Sequence, residues 1–153
     1  MKLGDVVRKE RLRRGLSIEE AAAHVGATVA AYEELEGGAS AAETWAPILA
    51  AIAVELAIPT SRLLAENGRG AATRGGGAGP LITRHRERRG RSAAEMAQAL
   101  DLSIDEYKRI EAGQSPIEEV GPLLLKFAEL IEQPVFNLIY PCGLPFQSLD
   151  DYP

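Results

Sequence analysis

The feature that most constrains this chain is a pattern written twice. Residues 11–38, RLRRGLSIEEAAAHVGATVAAYEELEGG, and residues 86–113, RERRGRSAAEMAQALDLSIDEYKRIEAG, align without a gap at an offset of 75. The offset pairs Gly15 with Gly90, Ser17 with Ser92, Glu20 with Glu95, Tyr32 with Tyr107 and Glu36 with Glu111. It persists downstream at Pro47/Pro122, Ala53/Ala128, Pro59/Pro134 and Leu63/Leu138. The 153 residues therefore divide into two copies of one unit. Each copy has roughly 60–65 residues, a size that is marginal alone and requires a compact, local core.

Composition narrows the class. Aromatics make up 5% of the chain and alanine is abundant, which favours closely packed helices over a sheet. The single cysteine, Cys142, forms no internal disulfide, and no Cys/His cluster suggests a metal. No leader-like or bilayer-length apolar segment is visible, so a soluble, cytoplasmic protein is expected. The net charge is −5, so any phosphate-binding surface must be local. His24 and His85, at non-equivalent positions, read as surface helix residues, and no catalytic constellation appears. An enzyme is not expected, nor a cofactor.

In chain order, residues 3–14 read as a helix, with Val6, Val7 and Leu12 able to face inward and a basic C-terminal half that suits the helix dipole. Gly15 closes it. Ser17-Ile-Glu-Glu20 is a capping box opening a helix over 18–24, and Thr28 caps another over 29–36. A fourth helix, about 44–57, carries Trp45, Ile48, Leu49, Ile52 and Leu56 at helical spacing. A last turn starts at Pro59. The second copy repeats this plan from Pro80, with capping boxes at Ser92–Glu95 and Ser103–Glu106 and a fourth helix over about 118–132. The expected boundaries are 1–66 and 80–140 for the two domains, 67–79 for a glycine-rich linker, and 141–153 for an apolar, proline-containing tail. The linker lacks the flanking strand and Gly-Lys-Ser/Thr of a phosphate loop.

Two short capped helices around a tight turn form a helix-turn-helix. The longer pattern R-x-x-R-G-x-S-x-x-E-x-A, followed by a turn, an apolar helix ending E-x-G, and Leu-x-x-hydrophobic-Ala, resembles the Cro/C1-type (XRE) helix-turn-helix regulators of prokaryotes and phages. The resemblance covers about residues 3–65 and 80–139. It implies an all-α fold of two tandem five-helix lambda-repressor-like domains. It also implies buried ion pairs linking helix one to helix three, here Arg11 with Glu36 and Arg86 with Glu111. The partner implied is double-stranded DNA, read by helix three in the major groove.

Reading positions in the first copy are Val29, Ala30, Ala31, Glu33 and Glu34, none of which matches the donor pattern of base edges well. The second copy supplies the DNA candidates: Arg88, Arg89, Arg91, Ser92, Ser103, Asp105, Lys108, Arg109 and Gln114. The corresponding region of the first copy adds Arg13, Arg14, Ser17 and Thr28. Asp105 and Glu106 read first as capping and dipole residues, with acceptance from cytosine as the other role. The expected function is a transcriptional regulator whose second copy makes most DNA contacts. The alternative is a protein-interaction module or antagonist that keeps the fold and binds a regulator or polymerase component. Its partner would be met through the acidic first reading helix or through the tail, and a homodimer is left open.

Overall fold

The computed structural model describes residues 2–64, 77–132 and 135. Its elements are α1 (Leu3–Arg13), α2 (Ile18–Val25), α3 (Val29–Glu36), α4 (Ala42–Glu55), α5 (Thr60–Leu63), α6 (Ala78–Arg88), α7 (Ala93–Ala99), α8 (Ile104–Glu111) and α9 (Ile117–Ile131). No strand occurs among the described residues, and the fold is all-α. The tail at 141–153, the linker up to Gly76 and the last turn carrying Leu138 lie outside the described residues.

Local signals start and stop these helices. Ser17, Ser92 and Ser103 each accept from the backbone N–H three residues on, at 3.0, 3.0 and 3.1 Å, and Glu20, Glu95 and Glu106 return the bond to the cap's own N–H. Thr28 accepts from Ala31 N at 3.1 Å with no returning carboxylate. Gly15 and Gly90 close α1 and α6 at φ of +67° and +64°, where a Cβ is disfavoured. Asp101 occupies the equivalent region at φ +57° in the α7–α8 turn, where the first copy uses Gly26.

Helix one of each copy is held at two places. Near its N-terminus, the orphan donors Leu3 N and Gly4 N meet the Glu43 carboxylate of α4 at 3.1 and 2.8 Å. In the second copy Ala78 N and Gly79 N meet Glu118 of α9 at 3.1 and 2.9 Å. This bond needs glycine at the crossing. A Cβ on Gly4 would lie 2.4 Å from Leu35 O, and one on Gly79 would lie 2.6 Å from Glu111 O. Toward the C-terminal end, Arg11 Nε and Nη2 bind Glu36 at 2.6 and 3.1 Å while Nη1 donates to Leu16 O at 2.9 Å. Arg86 does the same with Glu111 at 2.6 and 3.0 Å and with Arg91 O at 2.8 Å. Thr83 adds a hydroxyl to Glu111 at 3.0 Å. The Tyr32 and Tyr107 rings are fully buried beside these pairs. Their hydroxyls interact with Glu36 and Glu111 without meeting full hydrogen-bond geometry, and burial pushes both phenols up.

The copies share one core. α4 packs on α9, and the contacts around this seam are reciprocal: α2 lies on α9 and α7 on α4. The apolar cluster runs without a break from Val7, Leu35 and Leu49 to Ile82, Met96, Leu124 and Phe127. Small residues let the seam close: Ala46 is fully buried, and Gly121 leaves 3.3 Å between a would-be Cβ and Leu64 Cδ1. Two arginines cross the seam to the same kind of target. Arg14 donates to Ile131 O at the end of α9 and pairs with Glu132 at 3.3 Å. Arg91 donates to Glu55 O at the end of α4 at 3.0 Å. Each supplies a cation and donors to a helix C-terminus whose last carbonyls have no helical partner.

Three expectations need correction. The second copy's first helix begins at Ala78, inside the stretch assigned to the linker, because Glu118 anchors its first amides. His85 is buried rather than a surface residue, with Nδ1 3.3 Å from Arg89 Nη1. Leu12 is 57% exposed rather than inward-facing, since Arg11, one residue before it, takes the buried position.

Gly79→Ala is expected to lose roughly 1–3 kcal/mol of stability in urea denaturation, the cost of overpacking against rigid backbone. Gly121→Ala, whose nearest neighbour is a movable leucine methyl, should lose less. Removing one partner of a buried ion pair leaves the other uncompensated, so Glu111→Ala or Arg86→Ala should cost about 3–5 kcal/mol. Burial raises the Glu111 carboxyl, but the hydrogen bonds from Arg86 and Thr83, with the nearby Tyr107 hydroxyl, outweigh it and the net shift is down. A carboxylate lowered on folding stabilises fully above its unfolded value of 4.5. That contribution is lost as pH falls through the lower folded value. Melting temperature against pH should therefore drop below about pH 4.5, with a smaller drop in Glu111→Gln.

Candidate nucleic-acid interface

Helix three of each copy turns the same positions inward and outward. Tyr32 and Leu35 of α3 and Tyr107 and Ile110 of α8 are buried, which is the i, i+3 stripe of a short amphipathic helix. The outward positions are Val29, Ala30, Glu33 and Glu34 in α3 and Ile104, Asp105, Lys108 and Arg109 in α8, all exposed. At the repeat offset Glu33 matches Lys108 and Glu34 matches Arg109. One backbone thus carries two carboxylates in one copy and two cations in the other. Gln114, one residue beyond Gly113, is exposed on the same end of α8.

The N-terminal caps bear on what these helices can bind. Ser92 and Ser103 spend their hydroxyl oxygens accepting from Glu95 N and Glu106 N. A serine hydroxyl that accepts in this way keeps its hydrogen as a donor. The caps' own N–H groups are occupied by Glu95 and Glu106, at 2.8 and 2.9 Å. Those backbone bonds, and after them the serine hydroxyls, hold both carboxyls below their ordinary value. Ser17 and Glu20 form the same closed box, and Glu20 is lowered for the same reason. Asp105 sits in the first turn of α8, where a negative charge complements the dipole.

The arginine cluster is mostly engaged within the fold. Arg91 is half-buried on Glu55 of α4. Arg89 donates to His85 O at 2.9 Å within its own helix. In the first copy Arg14 is bound to the end of α9, and Arg13 pairs with Glu10 at 3.0 Å while staying largely exposed. Arg11 and Arg86 are held in their forks, and those hydrogen bonds raise both guanidiniums further. Arg88, Lys108 and Arg109 are exposed on the second copy. Sequence reading missed the inter-copy role of Arg14 and Arg91 because their targets are backbone carbonyls, which leave no residue signature. It also missed Glu43 and Glu118, although their recurrence at the repeat offset was a usable signal.

Helix α3 has a further neighbour. A groove of about 270 Å³ runs between α3 and α9, lined by Ala31, Glu34, Ala39, Glu119, Val120 and Leu123 among others. Two expected reading positions, Ala31 and Glu34, therefore border the second copy. Among the described residues no cluster of His, Cys, Asp or Glu could hold a metal ion. No described helix is long and apolar enough to cross a membrane.

Comparison with known families agrees with the geometry of the second copy. No curated protein and no solved structure matches the chain. Residues 79–130, spanning α6 to the last turn of α9, match the model of a helix-turn-helix domain family. The chain thus carries a helix-turn-helix domain in its second half, an architecture suggestive of DNA-binding regulators.

Proposed function

We propose that the protein is a DNA-binding transcriptional regulator built from two tandem helix-turn-helix units of the Cro/C1 type, in which the second unit makes most DNA contacts. The observation that carries this reading is the exposed pair Lys108 and Arg109 on α8, set against Glu33 and Glu34 at the same positions of α3. Arg109 has the donor fork that suits a guanine edge, and Lys108 and Gln114 suit phosphate or a base edge. Ser92, Ser103 and Arg88 flank them on the same unit. Arg13, Ser17 and Thr28 are the first unit's weaker counterparts, while Arg14 and Arg91 would act chiefly by holding the units in place and Arg89 is engaged with His85 of its own helix. With a net charge of −5, binding rests on this local patch and is steeply salt-dependent.

One observation favours a second reading. The outward face of α3 is acidic, and its Ala31 and Glu34 border a groove with Glu119 and Leu123. Such a face suits a basic protein segment better than a phosphate backbone, as expected of a module that binds a regulator or a polymerase component.

Binding to genomic DNA fragments across a salt series separates the two. For the regulator, Lys108→Ala/Arg109→Ala should weaken binding and flatten the log–log salt slope by about 1 per lost phosphate contact. Absence of any DNA binding at low salt would sink it. Glu33→Lys/Glu34→Lys should tighten binding if α3 faces DNA, whereas unchanged affinity would assign the contacts to the second unit alone.

A further inference from the structure

Two surfaces of this protein carry something the repeated fold does not require. The first is the outer face of α1. Leu12 is 57% exposed, and with Arg8, Lys9 and Arg13 it lines an open groove of about 470 Å³. Asp5, which also borders this groove, accepts from Lys2 N at 3.1 Å, and Arg13 pairs with Glu10 of its own helix. At the repeat offset α6 has Glu87 in place of Leu12 and Thr83 in place of Arg8. An exposed leucine among three cations suits a partner that is apolar and acidic.

The second surface has that chemistry. It is the groove between α3 and α9, where Ala31, Ala39, Val120 and Leu123 supply an apolar lining and the exposed Glu34 and Glu119 supply the charge. The offset exchanges Ala39 for Gln114, Glu34 for Arg109, Glu119 for Thr44 and Val120 for the larger Trp45. Small side chains line the groove here, and neither carboxylate recurs in the repeat. Both surfaces thus depart from the repeated pattern, and their departures are complementary in polarity and in charge. Within one molecule they do not satisfy each other, since Leu12 stays exposed and the groove stays open.

We propose that the protein self-associates through these two surfaces. Leu12 of one molecule enters the α3–α9 groove of a second copy, and Arg8, Lys9 and Arg13 lie against Glu34 and Glu119. The contact joins two different patches and is heterologous. A net charge of −5 on each molecule works against it, and one leucine with a charged rim makes a small interface. The association is therefore concentration-dependent and weakened by salt. It uses no residue of α8, so it is independent of whether the protein binds DNA.

Sedimentation of the full chain tests this, at low salt, without DNA and with Cys142 kept reduced. The average mass should rise above the monomer between micromolar and millimolar concentration. Leu12→Asp should hold the protein monomeric over that range, and so should Glu34→Lys/Glu119→Lys. All three positions are exposed, and an unchanged melting temperature checks that each variant keeps its fold. Each variant retains the surface that the other lacks. An equimolar mixture of the two should therefore recover association and stop at one-to-one pairs. Three outcomes overturn the proposal: a wild-type protein that stays monomeric throughout, association that either variant leaves unchanged, or a mixture of the two variants that stays monomeric.

Discussion

Everything outward in this protein depends on a guanidinium forked onto a carboxylate behind each third helix. α3 and α8 are eight residues long, too short to hold a helix alone in water. Their orientation comes from what they are tied to. Arg11 and Arg86 reach from helix one to Glu36 and Glu111 at the last helical position, and the Tyr32 and Tyr107 rings pack beside them in the core. The same carbonyl-rich helix end receives the bare backbone of Gly4 or Gly79. Salt bridge and glycine crossing act on one place, so a helix that could rock about either alone is fixed by both. Which residues point outward is then decided by the fold.

The second constraint is the seam between the copies. Two units of this size are each marginal, and α4 against α9 lets each complete the other's core. One consequence is that basic residues just after helix one are drawn into the seam. Arg14 and Arg91 cap the ends of α9 and α4, so a count of arginines overstates the surface available to phosphate. Around the first helices Arg11, Arg86 and Arg91 are drawn inward, while Arg8, Arg13, Arg14, Arg84, Arg88 and Arg89 keep exposed surface. Because the two crossing arginines sit at different positions of the repeat, the reciprocal contact is kept while the residue that makes it is not.

Much of the fold was legible because its signals are local and repeated. Capping boxes at Ser17, Ser92 and Ser103 placed three helix starts to the residue, and the glycines after helix one placed two ends. Other features were hidden because they are set by distant backbone. Nothing in residues 76–80 shows that Ala78 is helical; Glu118, forty residues on, decides it. Leu12 fits an inward stripe by period alone, yet the buried ion pair claims that side of the helix for Arg11. His85 reads as a polar surface residue until α6 is packed into the core. For the candidate interface, the sequence displayed the charge of each reading position, while the engagement of Arg89 and Arg91 required the packed structure.

The two copies also act as a control for each other within one chain. Positions that face inward on helix three are matched, Tyr32 with Tyr107 and Leu35 with Ile110, and both are buried. Positions that face outward reverse in charge, Glu33 against Lys108 and Glu34 against Arg109. A single fold thus tolerates either sign there, so neither sign is explained by stability. The shared seam holds both helices on one core. At a polyanion, opposite charges at equivalent places attract one unit and repel the other.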